Sequence, residues 1–207
     1  MSPIITHEDE LELADTEDEV VDKIEDLAKR QKKVVKYQKK LADRLADMNI
    51  ARESLNRTLR DALKQMQTLN REKKSNISEQ DVKMFQGLIH DNETYVDNNK
   101  KYRNAIKDLA VRKEYFVEKK YELAEAIEEV ADKRENVIKK ALDVEESKNK
   151  MIEGDKMIEL DNELNDAQRS FDRAHEILMK KMEQFVQARK EINELWAKLR
   201  ETITDLS

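Results

Sequence analysis

Apolar residues return in alternating steps of three and four along most of the chain, and the longest such stretch runs from about Glu79 to Met151. One line of residues at this spacing passes through Phe85, Leu88 and Tyr95, and a second line lies beside it. The second line consists of Ile89, Val96, Ala110, Val117, Ala124, Ala131 and Ile138. This spacing predicts a helix with an apolar face of bundle width. About 70 residues at 1.5 Å each make a helix of roughly 105 Å, which needs partners of similar length.

The same spacing predicts two more long helices, one on each side of this stretch. Helix one is expected over about residues 17–71, helix two over 79–151 and helix three over 155–205. The seam of helix one contains Val20, Ile24, Leu27, Gln31, Val34, Gln38, Leu41, Leu45, Met48, Arg52, Leu55, Leu59, Ala62, Met66 and Leu69. Steps of four and three sustained over about 50 residues are typical of coiled-coil-like helices. The sequence therefore predicts an all-α fold of long helices.

Two breaks and an acidic leader divide the chain. Ser78, followed by an acidic turn, predicts the N-cap of helix two. Gly154 predicts the end of that helix, and Asp155 a cap for helix three. Residues 1–16 combine a proline with a cluster of acids and no periodicity, so we expect a disordered leader followed by one helical domain over residues 17–207. Helix three is shorter than helix two by about 20 residues, or roughly 30 Å, and we expect that it has been cut short.

Composition narrows the class of protein. Of 207 residues, 42% are charged and 38% hydrophobic, with two glycines and one proline, which indicates long surface helices rather than a sheet or an ordinary globular core. The absence of cysteine excludes a disulfide framework and any cysteine-based metal or redox site. The sequence has no signal peptide and no apolar run approaching about 20 residues, so a cytoplasmic protein is expected.

Catalytic constellations are nearly absent, and we expect no enzyme, no cofactor and no metal. The histidines are His7, His90 and His175. Asp172 precedes His175 by three residues, but a di-iron helical bundle needs two such carboxylate–histidine pairs. The sequence contains no glycine-rich phosphate loop and no plausible pairing of a nucleophile with a base.

The net charge of −6 conceals a division of charge along the chain. Residues 1–26 contain 11 acidic residues and one lysine, a balance of −10. Residues 29–74 contain 15 basic and 5 acidic residues, a balance of +10. An acidic leader therefore precedes a basic first helix.

The most basic stretch is KRQKKVVKYQKK, residues 29–40, which has seven basic residues and no acid. The candidate anion-binding residues in it are Lys29, Arg30, Lys32, Lys33 and Lys36. Either these cations only solvate an apolar helix or they bind an anionic partner. The lack of interleaved acids, which would give supporting i,i+4 pairs, argues against pure solvation, and both interpretations stay open. No recognition motif accompanies the stretch, so nucleic acid is not expected as a partner.

A second basic group lies late in helix two and around the turn that follows. Its members are Lys133, Arg134, Lys139, Lys140, Lys148 and Lys150, with Lys156 just beyond. Acids are interspersed among them. On charge alone, a solvated helix face is therefore the favoured interpretation of this group.

Helices two and three resemble the BAR domains of sorting nexins. The first similar segment, Asp81–Glu135, opens on Met-Phe and carries a late basic-acidic element. In the second segment, Phe171–Trp196, the residues at the family's spacing are Phe171, Phe185, Arg189 and Glu191. Helix one agrees in character only. The order of three unequal helices with matching breaks adds to the likeness.

The resemblance implies an antiparallel three-helix coiled coil that dimerises into a crescent, as a homodimer or with a related BAR protein. Such a dimer binds anionic phospholipid membrane through its concave side and tips, and senses or imposes curvature in endosomal protein sorting. Endosomal sorting coat components are further expected partners. Family members carry Lys-Lys-Arg before a Glu on the membrane face. Here those positions read Asp132, Lys133, Arg134 and Glu135, so the first lysine is missing. The resemblance implies that the membrane-binding residues of this region are Lys133, Arg134, Lys139, Lys140, Lys148 and Lys150. No phox domain is recognisable in this sequence.

A structural coiled-coil scaffold that binds only protein partners is the rival hypothesis. It predicts a dimer or bundle that is indifferent to lipid charge. The membrane module instead predicts binding to anionic liposomes that weakens as salt is added.

Overall fold

The computed structural model describes residues 7–72, 77–150 and 154–204, with side chains at residue 13 and from residue 16 onward. This part of the chain forms three long α-helices: α1 His7–Arg71, α2 Glu79–Asn149 and α3 Asp155–Thr204. No β-strand occurs in these ranges. The three helices pack against each other, which confirms the prediction of an all-helical fold.

The helix boundaries follow the predicted breaks, except at the start of α1. Helices α2 and α3 begin at Glu79 and Asp155, as the sequence predicted. Helix α1 begins at His7, ten residues before the predicted start, so the leader is helical from His7 to Thr16. That part of the leader is rich in glutamate and leucine, which favour helix, and acids near a helix N-terminus interact well with its dipole. Residues 1–6 of the predicted leader lie outside the described residues.

The starts of α2 and α3 have local physical causes. Asp81 donates its backbone N–H to Ser78 Oγ at 3.1 Å, and Asp81 Oδ2 accepts the backbone N–H of Ser78 at 3.0 Å. This reciprocal pair satisfies donors that a helix start otherwise leaves free. Gly154 has a φ of 84°, a conformation that favours glycine, and its carbonyl accepts the N–H of Met157 at 3.0 Å. The break at Gly154 therefore leads directly into α3.

The helices divide into two compact units. The first comprises Met1–Lys33 and Lys113–Glu191, and the second comprises Val34–Arg112 and Ile192–Ser207. In the first unit, the rings of Phe116 on α2 and Phe185 on α3 stack with centroids 5.0 Å apart. Glu122 on α2 accepts hydrogen bonds from Lys119 of its own helix and from Lys181 on α3.

In the second unit, polar contacts join α1 to α2. Asn92 donates to Asn56 Oδ1 at 2.7 Å, Asn99 donates to Asn49 Oδ1 at 3.1 Å, and Arg52 donates to Asn92 Oδ1 at 2.8 Å. The residue numbers on α2 fall as those on α1 rise. These contacts fix the register of the two helices, because a shift along either one would leave buried amides without partners.

Burial matches one predicted line of α2 and departs from the other line and from the predicted seam of α1. The second apolar line predicted for α2, from Ile89 to Ile138, is buried at all of its named positions. On the first line, Leu88 is 49% exposed and Tyr95 is 40% exposed. Among the described side chains of α1, the buried ones are Ala28, Val35, Ala42, Asn49 and Asn56, each one position after a predicted seam residue. Because alanine and asparagine are small, they let α1 approach its neighbours closely.

Candidate functional site

The predicted anion-binding residues of α1 are all exposed: Lys29, Arg30, Lys32, Lys33 and Lys36. The first four belong to the first unit, and Lys36 belongs to the second. Lys29 forms an ion pair with Glu25 at 3.0 Å, and hydrogen bonding to that carboxylate raises the pKa of Lys29. A surface pair of this kind contributes little to stability and exchanges readily with other ions. The other four cations present their charge to solvent.

Arg134, by contrast, lies inside the first unit. Its Nη2 donates to Glu17 Oε1 on α1 at 3.1 Å, and only 15% of its side chain is exposed. Its guanidinium carbon is 5.7 Å from the ring centroid of Phe171 on α3. Arg134 is therefore occupied within the chain, and as a membrane-binding residue it stays a prediction that requires this pair to open.

The rest of the second basic group is largely matched with acids. Lys139 pairs with Glu135 at 3.0 Å and Lys150 with Glu146 at 2.6 Å, each one turn away on α2. Lys140 reaches across to Glu163 on α3 at 2.5 Å, a hydrogen bond that raises the pKa of Lys140. Lys148 is exposed and Lys133 is half-buried. The structure thus brings most of these cations to acids rather than to one another.

An apolar row on α1 that the sequence predicted to be buried is exposed in the structure. In the second unit the exposed residues of this row are Val34, Leu41, Leu55 and Leu69, while Met48 and Ala62 between them are half-buried. Leu41 is 44% exposed and Leu55 is 50% exposed, although the predicted seam placed both in the core. The other half of that seam, from Ile24 to Met66 at the same spacing, is half-buried as predicted. The column of alanine and asparagine beside the row was the sequence signal for the closer packing side.

The apolar row borders a groove between α1 and α2 of about 440 Å³ in the second unit. Leu55 and Leu59 line it from α1, and Leu88 and Tyr95 line it from α2. The guanidinium carbon of Arg52 lies 3.7 Å from the Tyr95 ring centroid, which holds that ring against the helix pair. The groove offers apolar surface that neither helix covers.

Among the described residues, no group of three or more histidine, cysteine, aspartate or glutamate side chains is placed to hold a metal ion. Across the described ranges, none of the helices has the combination of length and apolar character needed to cross a membrane.

Comparison of the chain with family models, with curated proteins and with solved structures returned no match in any of the three. The resemblance to sorting nexin BAR domains consequently rests on the sequence alone.

Proposed function

We propose that this chain is a dimeric, non-enzymatic module of the sorting nexin BAR type. In this proposal two copies, each an antiparallel three-helix coiled coil, join into a crescent that binds anionic endosomal membrane from the cytoplasm. The module senses or imposes curvature in protein sorting. The falling order of partner residues between α1 and α2 supports the antiparallel arrangement.

The observation that carries the proposal is the exposed apolar row of α1. Apolar residues at multiples of seven positions are the pattern with which one helix packs against another in a coiled coil. The row adjoins the apolar groove lined by Leu55, Leu59, Leu88 and Tyr95, and we take the two together as the interaction surface. A second copy carries the same row and therefore offers a matching surface about a twofold axis.

The exposed cations of α1 support an anionic partner. Each lysine or arginine held near an anionic leaflet contributes about 1 kcal/mol. Besides Lys29, the exposed candidate cations are Arg30, Lys32, Lys33 and Lys36. Together these four contribute on the order of 4 kcal/mol of binding free energy for one chain and about 8 kcal/mol for two. Affinity near the micromolar range then requires the dimer, because one chain alone reaches only about the millimolar range.

Co-sedimentation with liposomes that contain phosphatidylserine tests this function. The wild-type chain should pellet with anionic liposomes, and pelleting should fall as salt is raised, because added ions screen exposed charges. A triple variant with Lys32→Glu, Lys33→Glu and Lys36→Glu should lose most of this binding.

The matched control changes charge by the same amount at exposed lysines elsewhere, with Lys83→Glu, Lys107→Glu and Lys180→Glu. It should retain clearly more binding than the α1 variant. Equal losses in the two variants would mean that only net charge matters. Absence of binding by a folded wild-type dimer would contradict the membrane function.

A structural scaffold that binds only protein is the second candidate. The observation that favours it is the internal matching of charge in the second basic group, where Lys139, Lys140 and Lys150 each pair with an acid. A scaffold would form the same dimer through α1. The salt series on anionic and neutral liposomes separates the two candidates, since a scaffold would pellet with neither.

A further inference from the structure

The ion pair between Glu17 and Arg134 is the contact that ties the acidic start of α1 to the basic part of α2. Their oxygen and nitrogen lie 3.1 Å apart, and the side chains are 20% and 15% exposed. Phe171 on α3 lies under the guanidinium. All three residues belong to the first unit, so the contact stands within one compact body.

Each side chain of this ion pair has a polar atom that lacks a hydrogen-bond partner. Glu17 Oε2 and Arg134 Nη1 are buried with no hydrogen-bond partner. A single bond between two ions that could form two leaves part of the cost of desolvating each one uncompensated. Burial, with a smaller contribution from the charge of Asp18, raises the pKa of the Glu17 carboxyl in spite of the opposing effect of Arg134. A group that accepts hydrogen bonds from both Nη1 and Nη2 of Arg134 would therefore bind the guanidinium better than Glu17 does.

The segment that carries Glu17 is acidic and lightly held. From Thr16 to Asp26 it contains six acidic residues and one lysine. None of its side chains is fully buried, and among the described side chains of α1 the first fully buried one is Ala28. Segments with few buried contacts detach at low cost in free energy. Release of this segment would expose Arg134 beside Lys133.

We propose that residues 16–26 of α1 form an autoinhibitory strap, in which Glu17 occupies Arg134 and an anionic phospholipid headgroup must displace it. This inference rests on the proposed function, since it concerns the regulation of membrane binding. A phosphate group offers the guanidinium two parallel hydrogen bonds, so it satisfies the nitrogen that Glu17 leaves unpaired. The released carboxylate returns to water and regains its hydration.

The test compares Glu17→Gln with Glu19→Gln on vesicles of phosphatidylcholine and phosphatidylserine. Both variants remove one negative charge from the strap, but Glu19 is exposed and pairs with Lys23 of its own helix. Glu17→Gln should bind about fivefold more tightly per chain than Glu19→Gln, the equivalent of one more cation at the surface. Adding Arg134→Gln to Glu17→Gln should remove this gain.

Hydrogen exchange on the wild-type chain gives a second readout that needs no variant. Vesicles should speed amide exchange in residues 16–26 as the strap leaves, whereas a strap that only stabilises the fold would exchange more slowly or unchanged. Tight binding by Glu17→Gln where the wild type binds weakly would support the strap.

Other outcomes overturn it. Equal affinity of Glu17→Gln and Glu19→Gln, or a gain that survives Arg134→Gln, would overturn the strap while leaving membrane binding in place. If neither the wild type nor any variant bound anionic vesicles, the proposed function itself would fail, and the strap with it.

Discussion

At the scale of single residues, the core is unusual for the polar side chains that it contains. Asn49, Asn56, Asn92 and Lys120 are all buried. The asparagines have partners across α1 and α2, although the Nδ2 of Asn49 is buried without one. The ammonium nitrogen of Lys120 lies 5.2 Å from the ring centroid of Phe116, and the like charge of Arg189 acts on it. Polar core residues at such positions set register at a cost in stability.

Replacing Lys120 with methionine should stabilise the fold. Lys120 is 7% exposed, and burial together with the like charge of Arg189 lowers its pKa. A methionine of similar length should raise the free energy of unfolding by about 1–3 kcal/mol in urea denaturation at pH 7. The gain should shrink as pH rises through the lowered pKa of Lys120 and disappear well above 10.5, because the lysine is then neutral in both the folded and the unfolded state.

Lys180→Met at an exposed position of α3 is the control for that substitution, and it should leave stability unchanged. A loss of stability in Lys120→Met would mean that the buried ammonium has a stabilising partner.

Replacing Asn92 with leucine should destabilise the pairing of α1 with α2. The change removes the acceptor of Arg52 and the donor to Asn56, and leaves a buried amide unpaired. We expect a loss of about 1–3 kcal/mol in urea denaturation. The double variant Asn56→Leu with Asn92→Leu should recover part of that loss, because both polar groups are then removed. A double variant no more stable than the single would contradict the network.

At the scale of the helices, the sequence predicted the elements well and their outward faces poorly. The cap at Ser78 and the break at Gly154 are local signals, so α2 and α3 begin where expected. A seven-residue repeat on α1 leaves two adjacent columns as candidates for the buried side, and only the neighbouring helices decide between them. The partner of Arg134 lies 117 residues away in the sequence, and nothing local indicates it.

The contact of Glu122 with Lys119 and Lys181 joins α2 to α3 and makes a pH-dependent prediction. Hydrogen bonds from the two lysines lower the pKa of Glu122 below its ordinary 4.5. Its contribution is therefore complete above pH 4.5 and is lost as pH falls through the lowered value. Glu122→Gln should lower the free energy of unfolding at pH 7 by about 0.5–1 kcal/mol, since the group is partly exposed.

Thermal unfolding across pH checks this. The wild type and Glu122→Gln should differ at neutral pH and converge in acid, while the exposed control Glu125→Gln should follow the wild type throughout. A gap that persists at low pH would assign the effect to packing rather than to charge.

At the scale of the whole molecule, the account depends on an apolar row that one chain does not cover. The row and the exposed cations lie on the same helix, so association and membrane binding are expected to be linked. The sequence predicted the cations as candidates and the apolar repeat as a seam. The sequence did not decide whether this seam packs within one chain or between two chains, because both kinds of packing use the same repeat.

Replacing two apolar residues of the exposed row with lysine should break the dimer without unfolding the chain. Leu41 and Leu55 are about half exposed, so Leu41→Lys with Leu55→Lys buries no new charge within one copy. Ile50 is 64% exposed on the opposite side of α1, and Ile50→Lys is the matched control. Circular dichroism should show unchanged helix content for both variants. Only the first should weaken association and, with it, liposome binding.

The most direct measurement is the mass of the wild-type chain in solution, by sedimentation velocity over a range of concentrations. A dimer is expected, with a mass twice the 24.5 kDa of one chain. A single folded species of 24.5 kDa at every concentration would contradict it.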